Sequence, residues 1–372
     1  MSVRMRPRKP EEAFPFWFDN TKLVAVNTCP TWGVVRYGLG KTTYKPGGAQ
    51  GRPTPLEAGA ALHKVFAAVR LIDMFENGEN FYDHFNPDIL HTFAQGVFGG
   101  DAWEQARKYL AREGDFRTRA LDTCMSILET SGFEDDPSDR RRTISNMEEA
   151  LIVYVERYEW ARWMPVWRET PGGRLIGVEL PFDLVVEHTE ELGEDKADNA
   201  TVVRPRGMRN FVGRIDALVF DREHERFAVH ENKTASRLDR AWHEQWNVAH
   251  QLTGYVLAAE TLLNGGIDVS NVTVFGLALP IPRSFDYGGC VRVPLTRTKN
   301  QREEWFDWFL HSTEMFEAWI DKPISAPRYT HSCSRYFRPC PLIAFCAMPK
   351  YDRAAALDEM ETDVWNPLTD DA

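Results

Sequence analysis

The sequence predicts an α/β chain, a mixed central sheet flanked by helices, and three observations carry that reading. A capped helix begins at Thr54; two apolar runs, Ala217 to Phe220 and Phe227 to Val229, are joined by the polar connection 221–226; and a segment of helical period follows at 237–263.

Taken in order, residues 1–51 are irregular. Thr54, Pro55 and Glu57 give an N-cap hydroxyl, a proline at the first helical position and a glutamate three residues after the cap, which together satisfy the orphan amides of a starting helix. Leu62, Phe66 and Val69 give that helix an apolar stripe, and a mostly helical stretch runs on to about 167. Strands are predicted near 175–187, 210–221 and 226–233. Leu238, Trp242, Ala249, Leu252 and Val256 recur near helical spacing, so 237–263 reads as one amphipathic helix on the sheet. Strands near 272–280 and 290–296 and a helix over 299–321 complete the pattern. Residues 358–372 read as a frayed acidic tail.

Composition narrows the class. A chain of 372 residues, 43% hydrophobic and 27% charged, excludes disorder and collagen-like order. No apolar run approaches the span of a bilayer, and residues 1–10 are Arg-rich without the apolar core of a secretory signal, so the expectation is a cytoplasmic protein without a membrane partner. The formal net charge is −11, whereas a protein held on DNA by phosphate neutralisation alone is usually basic. Basic residues cluster locally at Arg4, Arg6, Arg8 and Lys9, at Arg140, Arg141 and Arg142, and at Arg204, Arg206, Arg209 and Arg214. Each cluster, taken alone, reads as solvated surface. Of the 12 tryptophans, Trp160, Trp163, Trp305 and Trp308 fall at helical spacings and read as core.

Six cysteines in a chain this long are no disulfide framework. Cys333, Cys340 and Cys346 bunch near the C-terminus while Cys29 stands alone near the other end. Cys124 and Cys290 sit in apolar patterns and read as buried thiols.

The chemistry gathers on the two neighbouring strands. Glu231 and Lys233 are two residues apart on one strand and so point the same way, with Asp216 on the strand before. A carboxylate and an ammonium on one face either pair or serve something between them. Carboxylate oxygens suit Mg²⁺ or Mn²⁺, and a nearby cation offsets charge developing in phosphodiester hydrolysis. The plainer reading is a half-exposed ion pair with Asp216 capping a turn. His63 lies on the capped helix beside Gly59, and Gln251 and Tyr255, four apart, share one face of the long helix.

His63, Gly213-x-x-Asp216, Glu231-Asn232-Lys233-Thr234 and Gln251-x-x-x-Tyr255, in that order, resemble the RecB-like branch of the PD-(D/E)XK nucleases over about residues 25–350. Cys29 with Cys333, Cys340 and Cys346 resembles the iron-sulfur variant found in the CRISPR-associated exonuclease and in bacterial helicase-nucleases. The resemblance implies a restriction-endonuclease-like core over 54–70 and 168–298, a helical insertion at 71–167, an N-terminal segment 1–53 with the first cluster cysteine, a cysteine segment at 299–350 and a tail at 351–372.

It also implies roles. His63, Asp216, Glu231 and the main-chain carbonyl of Asn232 would ligate Mg²⁺ or Mn²⁺. Lys233 would position the attacking water, and Gln251 and Tyr255 would orient Lys233 or touch the scissile strand. Arg140, Arg141, Arg142 and Arg214 would contact DNA. The four cysteines would hold a 4Fe-4S cluster joining the two ends of the domain, with zinc as competitor. Six residues separate Cys333 from Cys340 where the family commonly has two, and His331 is a substitute ligand if one thiol is unused. The implied activity is metal-dependent exonuclease action on single-stranded DNA or DNA ends, in recombination, repair or phage DNA processing. Recruitment by a protein partner and homo-oligomer formation fit the acidic balance and the ring-forming relatives. The alternative is a non-catalytic iron-sulfur or zinc-bearing module that binds DNA or assembles on a nuclease scaffold.

Overall fold

The computed structural model describes residues 2–43, 54–77, 114–159, 162–170, 173–195, 200–235, 237–263, 266–279, 289–335 and 338–368. Residues 78–113 of the expected helical insertion lie outside the described residues, as does Trp160. The chain is α/β, and it divides into two compact units. One comprises Pro53–Pro181 and Arg214–Thr298. The other comprises Met1–Arg52, Phe182–Gly213 and Lys299–Asp371.

The first unit is built on a mixed sheet. The Glu231 strand, Arg226–Ala235, pairs antiparallel with the C-terminal end of the Asp216 strand, Ala200–Asp221, from Ala217↔His230 to Asp221↔Arg226. On its other side it pairs in parallel with Asn271–Ala278, which places Gly276 beside Lys233. Cys290–Thr296 adds an antiparallel edge, and Trp163–Pro165 pairs antiparallel with residues 219–221. A strand buried on both faces loses strict alternation, which is why Leu218, Val219, Ala228 and Val229 are all buried.

The His63 helix, Thr54–Asn77, packs on the face carrying Ala217, Val219 and Ala228, together with Phe116–Glu129 and Ile144–Arg157. Leu62, Phe66 and Val69 form its buried stripe as predicted. Asp115 and Thr143 cap the other two helices through their side chains. Arg70, 1% exposed, reaches from the His63 helix to Nδ1 of His230 at 2.9 Å and to the Tyr158 hydroxyl at 2.7 Å. Its guanidinium also lies over the Tyr158 and Phe275 rings, so the helix is pinned to the residue before Glu231.

The segment predicted as one helix over 237–263 is broken. Arg240–Glu244 is a short α-helix, Gln245–Val248 a 3₁₀ turn, and His250–Leu262 a second α-helix, with Ala249 extended at ψ 111°. Buried Arg297 is the physical reason. It donates to the carbonyls of Trp246 at 2.5 Å, Asn247 at 2.9 Å and Ala249 at 3.4 Å, acceptors that a continuous helix would use internally.

In the second unit, Ser2–Pro7 pairs antiparallel with residues 184–189, and Trp17–Phe18 pairs in parallel with Asn210 and Phe211. Phe18, Phe211, Trp305, Phe309 and Phe316 form its aromatic centre around Lys299–Ile320. Residues 358–368 are not frayed. Lys350–Glu359 is helical, Glu361–Thr362 pairs with Lys41–Thr42, Asp363 meets Arg36 at 2.8 Å, and the Trp365 indole donates to Asp19 at 3.0 Å. Main-chain pairing and one acid matched to Arg36 outweigh the solvation of an acidic segment.

Gly177 is where the sheet admits no side chain. It donates to the Val166 carbonyl at 2.7 Å and accepts from the Leu218 amide at 2.9 Å, and a Cβ there would stand 2.1 Å from the Leu218 oxygen. Gly177→Ala should therefore lower unfolding free energy by about 3 kcal/mol, the cost of forcing atoms into a filled site, measured by urea denaturation. Parent-like stability would mean that this crossing is not a constraint.

Candidate metal and phosphodiester site

The site forms at the end of the ladder between the Asp216 and Glu231 strands. Beyond Ala217↔His230 the next amide facing the Asp216 strand is that of Asn232, and it donates to Asp216 Oδ2 at 2.7 Å. The carboxylate takes the place of a main-chain acceptor and turns its other oxygen towards the His63 helix. His63 Nδ1 stands 3.6 Å from Asp216 Oδ1 and 3.6 Å from Glu179 Oε1.

Glu179 was absent from the residues singled out in the sequence. The hydrogen bond between Gly177 and Leu218 places it, two residues along one strand, beside Asp216 two residues back along the other. Its φ of 45° is left-handed, a conformation that costs a non-glycine residue about 1 kcal/mol and that clusters at functional sites. The available signal was an acid between Val178 and Leu180, a short apolar run bounded by Gly177 and Pro181.

Glu231 is 1% exposed. Its Oε1 accepts from Lys233 Nζ at 2.5 Å and from Gln251 Nε2 at 3.1 Å, and Gln251 also donates to the Tyr255 hydroxyl at 3.0 Å. Gln251 thus orients Glu231, where Lys233 or the scissile strand had been expected as its target. Oε2 of Glu231 and Oδ1 of Asn232 are buried without a hydrogen-bond partner. Asn232 enters the site through its amide.

Burial and Asp216 push the Glu231 carboxyl up to about 7, against the pull of Lys233. Asp216 is raised as well, by burial and by Glu179, with His63 opposing. Burial acts to lower His63, yet Asp216 and Glu179 outweigh it and hold the imidazole at about 9. Burial likewise acts to lower Lys233, and Glu231 and Asp216 outweigh it, so the ammonium persists. The cluster is therefore an excess of buried acid, with an imidazole and an amine held charged by it.

One nitrogen of His63 and one oxygen each of Glu179 and Asp216 lie within 4.8 Å of one another. Oxygen donors with an imidazole, plus the unpartnered oxygen of Glu231, fit a divalent cation of the Mg²⁺ or Mn²⁺ kind.

The predicted DNA-contacting arginines lie on two separate segments. Asp139 takes the amides of Arg141 and Arg142 and pairs with the Arg142 guanidinium at 2.6 Å, while Asn146 binds the carbonyls of Arg140 and Arg141. That run builds the entry to the helix Ile144–Arg157. Arg214 lies two residues before Asp216 on its strand.

The four candidate cluster cysteines all belong to the second unit and are free thiols. The long spacing from Cys333 to Cys340 closes as a hairpin: Ser334–Arg335 pairs with Arg338–Pro339, and the Cys340 amide donates to the Cys333 carbonyl at 2.8 Å. Burial raises the Cys340 and Cys346 thiols, with Cys29 and Cys333 adding to both. Cys340 and Cys346 therefore lie near enough to Cys29 and Cys333 for those sulfurs to act on them. His331 is exposed and stacks on Tyr329. Cys124 and Cys290 are buried free thiols as predicted.

No family model matches the chain, and no curated protein matches it.

The imidazole offers a direct test. A histidine held at about 9, above its ordinary 6.5, contributes stability that is full below pH 6.5 and is lost as pH rises through 9. In chelator, the fall in unfolding free energy between those values should be smaller in His63→Gln than in the parent. An equal slope in both would show that His63 is not held charged by the two acids.

Proposed function

We propose that the first unit is a divalent-metal-dependent phosphodiesterase acting on DNA, an exonuclease of the PD-(D/E)XK kind. The observation that carries it is the convergence of His63, Glu179, Asp216 and Glu231, three of them acids in the buried end of a sheet, beside the amine of Lys233. Three acids face two cations, Lys233 and a protonated His63, and the surplus carboxylate calls for a further cation.

His63, Glu179 and Asp216 would hold the ion, with Glu231 Oε2 directed to it or to its water. The ion would supply Lewis-acid polarisation of a phosphoryl oxygen and a more acidic water. Lys233, fixed by Glu231, orients the attacking water and offsets charge on the phosphorus oxygens as the P–O bond breaks. Gln251 and Tyr255 hold Glu231 in the rotamer that this requires.

For the second unit we propose a 4Fe-4S cluster on Cys29, Cys333, Cys340 and Cys346. Among the described residues no three of these sulfurs lie within 4.8 Å of one another. Around a single zinc ion with Zn–S near 2.3 Å they would stand about 3.8 Å apart. A cluster spreads them further, because each thiolate binds a different iron.

Two measurements test the proposal. Lys233→Ala should cut Mn²⁺-dependent cleavage of labelled single-stranded DNA by about 10³-fold while leaving binding in chelator within twofold; undiminished cleavage would refute the role of Lys233. Anaerobically purified protein should be brown and carry iron in place of zinc, and lose both colour and iron in Cys340→Ser. Stoichiometric zinc without iron would refute the cluster.

A further inference from the structure

Beside Lys233 the sheet carries no side chain of its own. Gly276 is its register partner on the neighbouring parallel strand, and in-register residues of a parallel pair project to the same face. An indole fills the gap: a Cβ on Gly276 would stand 2.3 Å from Trp242 Cη2 and 2.7 Å from Leu238 Cδ2. Trp242 therefore covers the position beside Lys233 on the neighbouring strand, on the face that holds Glu231. Trp246 meets it edge to face, with ring centroids 5.4 Å apart.

The segment bearing these rings has no buried residue, and Val248 at its end is 76% exposed. The edge of the Trp242 ring packs on Gly276 and the indole nitrogen of Trp246 is buried, yet neither side chain is fully buried, so part of each ring stays open to solvent. They are nonetheless held rigidly, because Arg297 fixes the carbonyls of Trp246, Asn247 and Ala249. Arg237, just before this segment, and Arg240 within it are exposed, the latter with a 90% exposed side chain paired with Glu244 at the surface.

We propose that Trp242 and Trp246 form a stacking platform for unpaired nucleobases, so that the substrate of the adjoining site is single-stranded nucleic acid. The inference rests on the phosphodiesterase reading of that site. Rigid half-exposed indoles suit the π-face of any base, and the neighbouring arginines suit the phosphates between bases. In a duplex the base faces are already stacked on one another and are closed to the indoles.

The test uses the full chain with three probes: labelled oligothymidylate, an abasic oligomer of equal length, and bis(p-nitrophenyl) phosphate. Binding is read by fluorescence anisotropy in chelator, and turnover in Mn²⁺. Trp242→Leu and Trp246→Leu should each raise the Kd and KM for oligothymidylate about tenfold with kcat within twofold. The abasic oligomer and the small diester should respond as with the parent, and Trp→Phe at either position should restore most of the affinity. Parent-like Kd in folded leucine variants would overturn the platform. So would equal losses on the abasic oligomer, which would mark the rings as structural. Should the parent hydrolyse no diester while the leucine variants still lose oligothymidylate binding selectively, the platform stands and the phosphodiesterase reading fails.

Discussion

Confinement of acid charge governs the first unit. Glu179, Asp216 and Glu231 converge at the end of a sheet, where an ionised carboxyl is costly, and Glu179 adds to the raising of Asp216 as Asp216 adds to that of Glu231. Lys233 and a protonated His63 offset part of that cost. The rest of the local structure serves to keep the acids there. The Asn232 amide fixes Asp216, Gln251 and Tyr255 fix Glu231, and the tight crossing at Gly177 delivers Glu179 in a left-handed conformation. A protein selected for stability alone gains nothing from such an arrangement, since a well-packed apolar group is as good as a buried ion pair or better.

The same logic orders the surroundings. Arg70 ties the His63 helix to His230, so the imidazole and Glu231 are set by one buried contact between a helix and a strand. Arg297 breaks what would be a single helix and thereby aims Gln251 at Glu231 and Trp242 at the space beside Lys233. Both guanidiniums are nearly inaccessible to solvent, Arg70 reaching an imidazole, a phenol and two rings and Arg297 three carbonyls. Among the described residues, Lys233 and a protonated His63 face the acids of the site.

Much of this was legible in the sequence because it is local or periodic. Thr54 to Val69 states a helix start and its buried stripe, and the two-residue step from Glu231 to Lys233 states a shared face. The four-residue step from Gln251 to Tyr255 states the pair that the structure finds hydrogen-bonded. Glu179 was hidden because its role arises from a cross-strand contact and a backbone conformation, neither of which has a local pattern. The break at Ala249 was hidden for a related reason: apolar spacing continues through it, and the residue that causes it lies 48 positions away. Asp363 and Trp365 looked like solvated tail, since nothing near them in sequence names Arg36 or Asp19 as partners.

Anomalous diffraction from crystals grown with Mn²⁺ tests the account most directly. It predicts a manganese peak bounded by His63 Nδ1, Glu179 and Asp216, with Glu231 in its surroundings. A manganese peak only at the other group of Asp221, Glu223 and His224, with the acids beside Lys233 paired among themselves, would contradict it.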